Sequence, residues 1–120
     1  MRAKRDSQKA CKPILPPTVL QAINDLKSSL QEIYGDRLQG LYLYGSYARG
    51  DFREDSDVDL LVALAGEVNS CRESDRISAL VSDLCRRHEV LLAVLPAPAA
   101  WLDSRKSPLY ERVRREGAPL

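Results

Sequence analysis

LYLYGSYARGDFREDSDVDLLVAL, residues 41–64, consists of two apolar runs enclosing a polar loop. The first run, within 38–46, is short, aromatic and stopped by Gly45, which fits a strand. The second, 57–64, alternates at its start and is apolar throughout its end, as expected of a strand buried on both faces. Between them the chain reads Gly45-Ser46, ten intervening residues, then Asp57-Val58-Asp59. Neighbouring strands joined this way would set the Gly-Ser bend beside the two acids.

That arrangement has a chemical logic. Residues two apart on a strand point to the same face, so Asp57 and Asp59 stand side by side. Two like charges at a strand edge repel, and a divalent cation between them removes the cost. Mg²⁺ suits such a pair, because it prefers a few carboxylates together with waters and substrate phosphates. Gly45 lets the backbone turn tightly and approach a ligand closely. Ser46 offers a hydroxyl and a backbone N–H, and a helical turn starting there would aim free N–H groups at a phosphate. Arg49 and Arg53 are available as cationic clamps, and Tyr47 follows Ser46 closely enough to touch a nucleotide. Phosphoryl-type transfer asks for little beyond positioning and charge stabilisation. Asp-x-Asp alone is usually a turn or a solvated strand face; the combination at this spacing is what carries information.

Outward from this segment, Val19, Leu20, Ile23, Leu26, Leu30 and Ile33 recur at helical spacing after Thr18, and Gly35 ends the helix. Ile77, Leu80, Val81 and Leu84 mark a second amphipathic helix ending near Arg86-Arg87. Residues 89–96 read as a third strand stopped by Pro96 and Pro98, and Trp101 opens a short helical stretch. A last helix around Leu109 and Val113 stops at Gly117 and Pro119. The order predicts an α/β (α+β) domain: a small mixed sheet with packed helices over 17–120, preceded by a flexible basic tail, 1–16.

Size and composition narrow the choices. The 120 residues amount to one domain, and the site of so small an enzyme is shallow or completed by a partner. The net charge of +1 hides basic ends on an acidic middle, a pattern that does not point to dedicated nucleic-acid binding. No apolar run approaches the roughly 20 residues that span a bilayer, and no apolar stretch follows the basic N-terminus as a secretory signal requires. Cys11, Cys71 and Cys85 are widely spaced and form no CxxC pair, so a reducing cytoplasm fits best, with Cys71 and Cys85 as helix-packing residues. His88, the single histidine, reads as a part-exposed residue at a helix–strand junction.

The Gly45-Ser46…Asp57-Val58-Asp59 skeleton closely resembles the signature of the DNA polymerase β-like nucleotidyltransferase superfamily, and roughly 18–117 resembles its minimal nucleotidyltransferase (MNT) group. The closing SPLYERVRREGAPL is similar to the usual end of such domains. The resemblance implies that Gly45 and Ser46 hold the triphosphate and that Asp57 and Asp59 bind Mg²⁺. The implied reaction moves a nucleoside monophosphate, AMP from ATP, to an acceptor hydroxyl and releases pyrophosphate. The superfamily commonly adds a third carboxylate on a later strand. Here the segment 89–96 offers only Glu89, which is therefore the third catalytic candidate.

Minimal nucleotidyltransferases are often paired with a helical HEPN-type toxin, for which they act as antitoxin, and some add AMP to it. The resemblance thus implies a HEPN-type partner and a protein hydroxyl as acceptor. A second possibility is a catalytically weak binding module that neutralises its partner by occlusion. A third, a small-molecule modifier, usually carries a second helical domain.

Overall fold

The computed structural model describes residues 14–120; the basic tail expected over 1–16, with Cys11, lies outside them except for its last three residues. Helix α1, Pro17–Tyr34, begins two residues before Val19, the first residue of its apolar periodicity, because Pro17 occupies the first turn, where a missing N–H costs nothing. A 3₁₀ turn, Gly35–Arg37, leads into strand β1, Leu38–Tyr44. Then come the one-turn helix α2, Ser46–Arg49; strand β2, Val58–Leu64; helix α3, Ser70–His88; and strand β3, Leu92–Pro98. Helices α4, Ala99–Ser104, and α5, Pro108–Glu116, precede a two-residue strand β4, Ala118–Pro119.

The four strands lie in the order β3-β2-β1-β4. β1 is antiparallel to β2 and to β4, whereas β2 and β3 are parallel and joined by α3. The sheet is therefore mixed, as expected.

Two features depart from the sequence reading, each for a local reason. The third strand starts at Leu92 rather than Glu89, because α3 runs on to His88 and Glu89 caps it with a left-handed backbone, φ 57°. It also continues through Pro96 and Pro98. β3 is an edge strand, and the Leu91 carbonyl accepts the Val58 N–H, so odd-numbered residues face β2. The proline nitrogens thus fall on the free edge, where no ladder donor is required.

Helices cover both faces of the sheet. On one, α1 and α3 bury Ile23, Leu26, Leu30, Ile77 and Leu84 against Leu41, Leu43, Leu60, Val62 and Leu64. On the other, α4 and α5 set Leu102, Tyr110 and Val113 against Tyr44, Leu61, Ala63 and Ala97. The central strand β2 is consequently buried from both sides, apart from Asp59. The α1–α3 layer is pinned by two polar contacts: Tyr34 donates its hydroxyl to buried Glu73 at 2.7 Å, and His88 Nε2 meets Asp25 at 2.8 Å. Of the cysteines expected to pack within a helix, Cys85 is part-buried and Cys71 is exposed. Among the described residues, no helix is long and apolar enough to cross a membrane.

Candidate active site

β2 carries the acids to the end of the sheet. Asp59 pairs with Tyr44 across the β1–β2 ladder and shares the face that Leu61 and Ala63 present to α4 and α5. Asp57, two residues earlier, is exposed just ahead of the strand. The pair lies at the end of the face where apolar cover gives out.

The Gly45 turn abuts it. Gly45 has φ 81°, in the left-handed region, and any Cβ there would run into the Asp59 carboxylate. Glycine is therefore required twice, by conformation and by space. Its carbonyl accepts the N–H groups of Ala48 and Arg49, which closes the α2 turn immediately beyond the strand. Ser46 opens that turn, beside the two acids.

The electrostatics follow from this crowding. Burial pushes the Asp59 carboxyl above the usual carboxylate range, and the charges of Asp57 and Glu116 push it further; Arg112 and Arg49 pull the other way and are outweighed. Burial likewise raises the Tyr44 hydroxyl, helped by Asp59 and opposed by Arg112. The donor set fits a hard divalent cation. It offers two adjacent carboxylates, one of them held against its own ionisation by its surroundings, and among the described residues no three His, Cys, Asp or Glu side chains gather as a closed cage. Mg²⁺ takes one or two carboxylates and completes its shell with water and phosphate, so Asp57 and Asp59 are the residues that would hold it.

The other sequence candidates divide. Gly45, Ser46, Asp57 and Asp59 come together. Arg49 reaches the same turn but is engaged: its guanidinium binds Asp51 at 3.2 Å and Glu116 at 3.2 Å, and these hydrogen bonds raise its already high basicity. Arg53 is exposed on the intervening loop, where its backbone N–H bonds to Ser56. Tyr47 turns inward instead: it is buried in the α1–α3 core and stacks on Phe52 with ring centroids 4.2 Å apart. Glu89, as the α3 cap, lines a shallow hollow with Val81, Ser82, Cys85 and Arg86, and the structure does not gather it with the acid pair. Across the β2–β3 ladder from Asp59 stands Ala93.

Two residues of α5 belong to this site although the sequence reading passed over them. Glu116 accepts the Gly45 N–H at 2.7 Å and holds Arg49. Arg112 lies one helical turn earlier. Their spacing of four places both on one flank of α5, a signal the sequence contains but does not direct at Gly45, 71 positions away.

Comparison with known proteins agrees with this geometry. The family model described as a nucleotidyltransferase domain matches residues 23–110. A protein of Methanocaldococcus jannaschii, provisionally named as a protein adenylyltransferase, is 43% identical over 101 residues, covering 83% of this chain and 95% of that protein. A solved structure provisionally described as a minimal nucleotidyltransferase superposes with a TM-score of 0.52 at 32% identity, covering 85% of this chain and 93% of that one. A chain from the complex of a tri-AMPylated Shewanella oneidensis HEPN toxin with its MNT antitoxin gives a TM-score of 0.51 at 20% identity, covering 85% and 70%; at that identity the likeness is one of fold. With the matched family model spanning the Gly-Ser turn, both acids and most of the sheet that carries them, the chain belongs to the nucleotidyltransferase domain family and is a nucleotidyltransferase.

Proposed function

We propose that this nucleotidyltransferase transfers AMP from Mg·ATP to a hydroxyl on a partner protein, as the MNT antitoxin of a HEPN-type toxin. The observation that carries the reading is the Asp57–Asp59 pair set against the Gly45-Ser46 turn at the open end of the sheet. The provisional name of the M. jannaschii relative and the AMPylated toxin in the S. oneidensis complex support the choice of nucleotide and acceptor.

In this reading Gly45 and Ser46 cradle the triphosphate with backbone N–H groups and a hydroxyl, and Asp57 and Asp59 would hold the Mg²⁺ that accompanies it. Bound there, Mg²⁺ would supply neutralisation of phosphate charge and polarisation of the reacting phosphorus. The acceptor oxygen attacks that phosphorus, the bond to the pyrophosphate oxygen breaks, and the acceptor's proton leaves to solvent at the exposed Asp57 end. Asp57 is exposed, so an acceptor carried by another molecule can reach the pair.

The test is to incubate the chain with Mg²⁺, α-labelled ATP and a HEPN-type partner. Label is expected on the partner with the wild-type chain and absent with Asp57→Asn/Asp59→Asn. A second reading, neutralisation by occlusion with little transfer, is favoured by Ala93, which places no third acid opposite Asp59. An unlabelled partner that still co-purifies with the chain would select it.

A further inference from the structure

α5 has two polar flanks beside its buried Tyr110 and Val113. On one, Arg114 donates to the Leu102 carbonyl and fastens α5 to α4. On the other, Glu116 holds the Gly45 N–H and Arg49, which seats this flank on the Gly-Ser turn. Arg112 shares the second flank, one turn toward the helix start. It is exposed and, among the described residues, forms no ion pair and donates no side-chain hydrogen bond. Arg49 differs, because two carboxylates already occupy its guanidinium.

We propose that Arg112 is the triphosphate clamp of this site, gripping the outer phosphates of the nucleotide between α5 and the Gly45-Ser46 turn. This rests on the Mg·ATP reading above. Supporting it, Glu116, one turn on from Arg112, accepts the Gly45 N–H at 2.7 Å, and Tyr110 and Val113 of the same helix pack with Tyr44, the ladder partner of Asp59, so the flank that carries Arg112 runs alongside the Gly-Ser turn and the acid pair. A guanidinium with all five donors uncommitted matches phosphate geometry, whereas one already bidentate with carboxylates would have to break those bonds first. The outer phosphates are also where leaving-group charge develops during transfer.

The experiment is calorimetric titration of Mg·ATP and Mg·AMP into the wild-type chain and the Arg112→Ala, Arg112→Gln, Arg112→Lys, Arg115→Ala and Asp57→Asn/Asp59→Asn variants, with thermal melts to confirm folding. Arg112→Ala and Arg112→Gln are expected to weaken Mg·ATP at least tenfold and Mg·AMP less than twofold. Arg112→Lys should recover part of the loss, and Arg115→Ala, which removes the same charge from the exposed side of α5 opposite Tyr110 and Val113, should change neither ligand by more than twofold. If wild type binds Mg·ATP, the double acid variant does not, and a folded Arg112→Gln retains wild-type affinity, the clamp is refuted while the function stands. Equal losses for Arg112→Gln and Arg115→Ala overturn it too, as a general charge effect. If wild type itself binds no Mg·ATP, the underlying reading fails.

Discussion

Replacing Asp59 with Asn should make the ligand-free protein more stable and at the same time abolish its response to Mg·ATP. Asp59 is half-buried beside Asp57, with Glu116 near and Arg112 and Arg49 opposing. Two strand rises separate the acids by about 6.6 Å. At that distance their repulsion is about 0.6 kcal/mol if fully screened by water and about 2.5 kcal/mol at an effective dielectric constant of 20. Burial adds to this penalty and the two arginines subtract from it. The carboxyl's upward shift sets burial and repulsion ahead of the two arginines; discounted for the solvent that screens a half-exposed group, a neutral isostere should raise stability by at most about 1 kcal/mol, or up to about 3–6 °C for a domain of this size. The pH dependence has a definite sign. Because the folded state holds its Asp59 proton more tightly than the unfolded chain, wild-type stability falls as pH rises from the ordinary carboxylate range through the raised value, and Asp59→Asn should lose that segment. Melting in EDTA, then in saturating Mg·ATP, checks both halves. Wild type should gain about 2.7 kcal/mol at a hundred times its Kd, and the variant nothing. A variant less stable than wild type in EDTA, or one that Mg·ATP still stabilises, would refute the account of the acid pair.

Three further outcomes follow from the same geometry. Gly45→Ala should cost about 1–3 kcal/mol in backbone strain alone and lose Mg·ATP binding, because its methyl group displaces the Asp59 carboxylate; wild-type affinity in calorimetry would contradict the double demand for glycine. Tyr34→Phe leaves buried Glu73 without its 2.7 Å donor and should cost about 1–3 kcal/mol in urea denaturation. Since burial and Glu73 push the Tyr34 hydroxyl up to about 12, wild-type stability should also fall above the ordinary tyrosine range, and a pH series on Tyr34→Phe should lack that fall. Leu60→Ala, at a fully buried side chain, should cost about 2–5 kcal/mol by chemical denaturation without touching the acid pair directly.

The sequence displayed those parts of the site whose geometry is local. Strand alternation predicted Asp57 and Asp59 on one face, and the structure puts them near enough for the Asp57 charge to act on Asp59 although Asp57 precedes the strand; Gly45 announced a turn whose positive φ the structure bears out. It misdirected where local pattern meets distant packing. Tyr47 adjoins Ser46 in sequence, but one helical step turns its ring into the α1–α3 core beside Phe52. Glu89 heads an apolar run that looks like strand, yet α3 reaches it and its left-handed backbone is not a conformation residue type predicts. Pro96 and Pro98 read as strand breakers because the free edge of β3 that tolerates them is a property of the sheet. Glu116 could not be assigned at all until the packing of α5 brought it to Gly45, with Arg112 one turn away on the same helix.

What joins these cases is that one face of the sheet serves both stability and chemistry. Along β2 the sequence passes from Asp59 to Leu61 and Ala63, from carboxylate to closed core within one alternation. α5 does the same: Tyr110 and Val113 complete that core while Arg112 and Glu116 reach beyond it. Asp59 therefore cannot retreat into full solvent without uncovering apolar surface, and it cannot be buried further without losing access to a metal. The repulsion between it and Asp57 is the consequence of standing at that boundary. It also makes the site responsive, because a ligand that brings positive charge between Asp57 and Asp59 relieves a repulsion that the folded protein already holds.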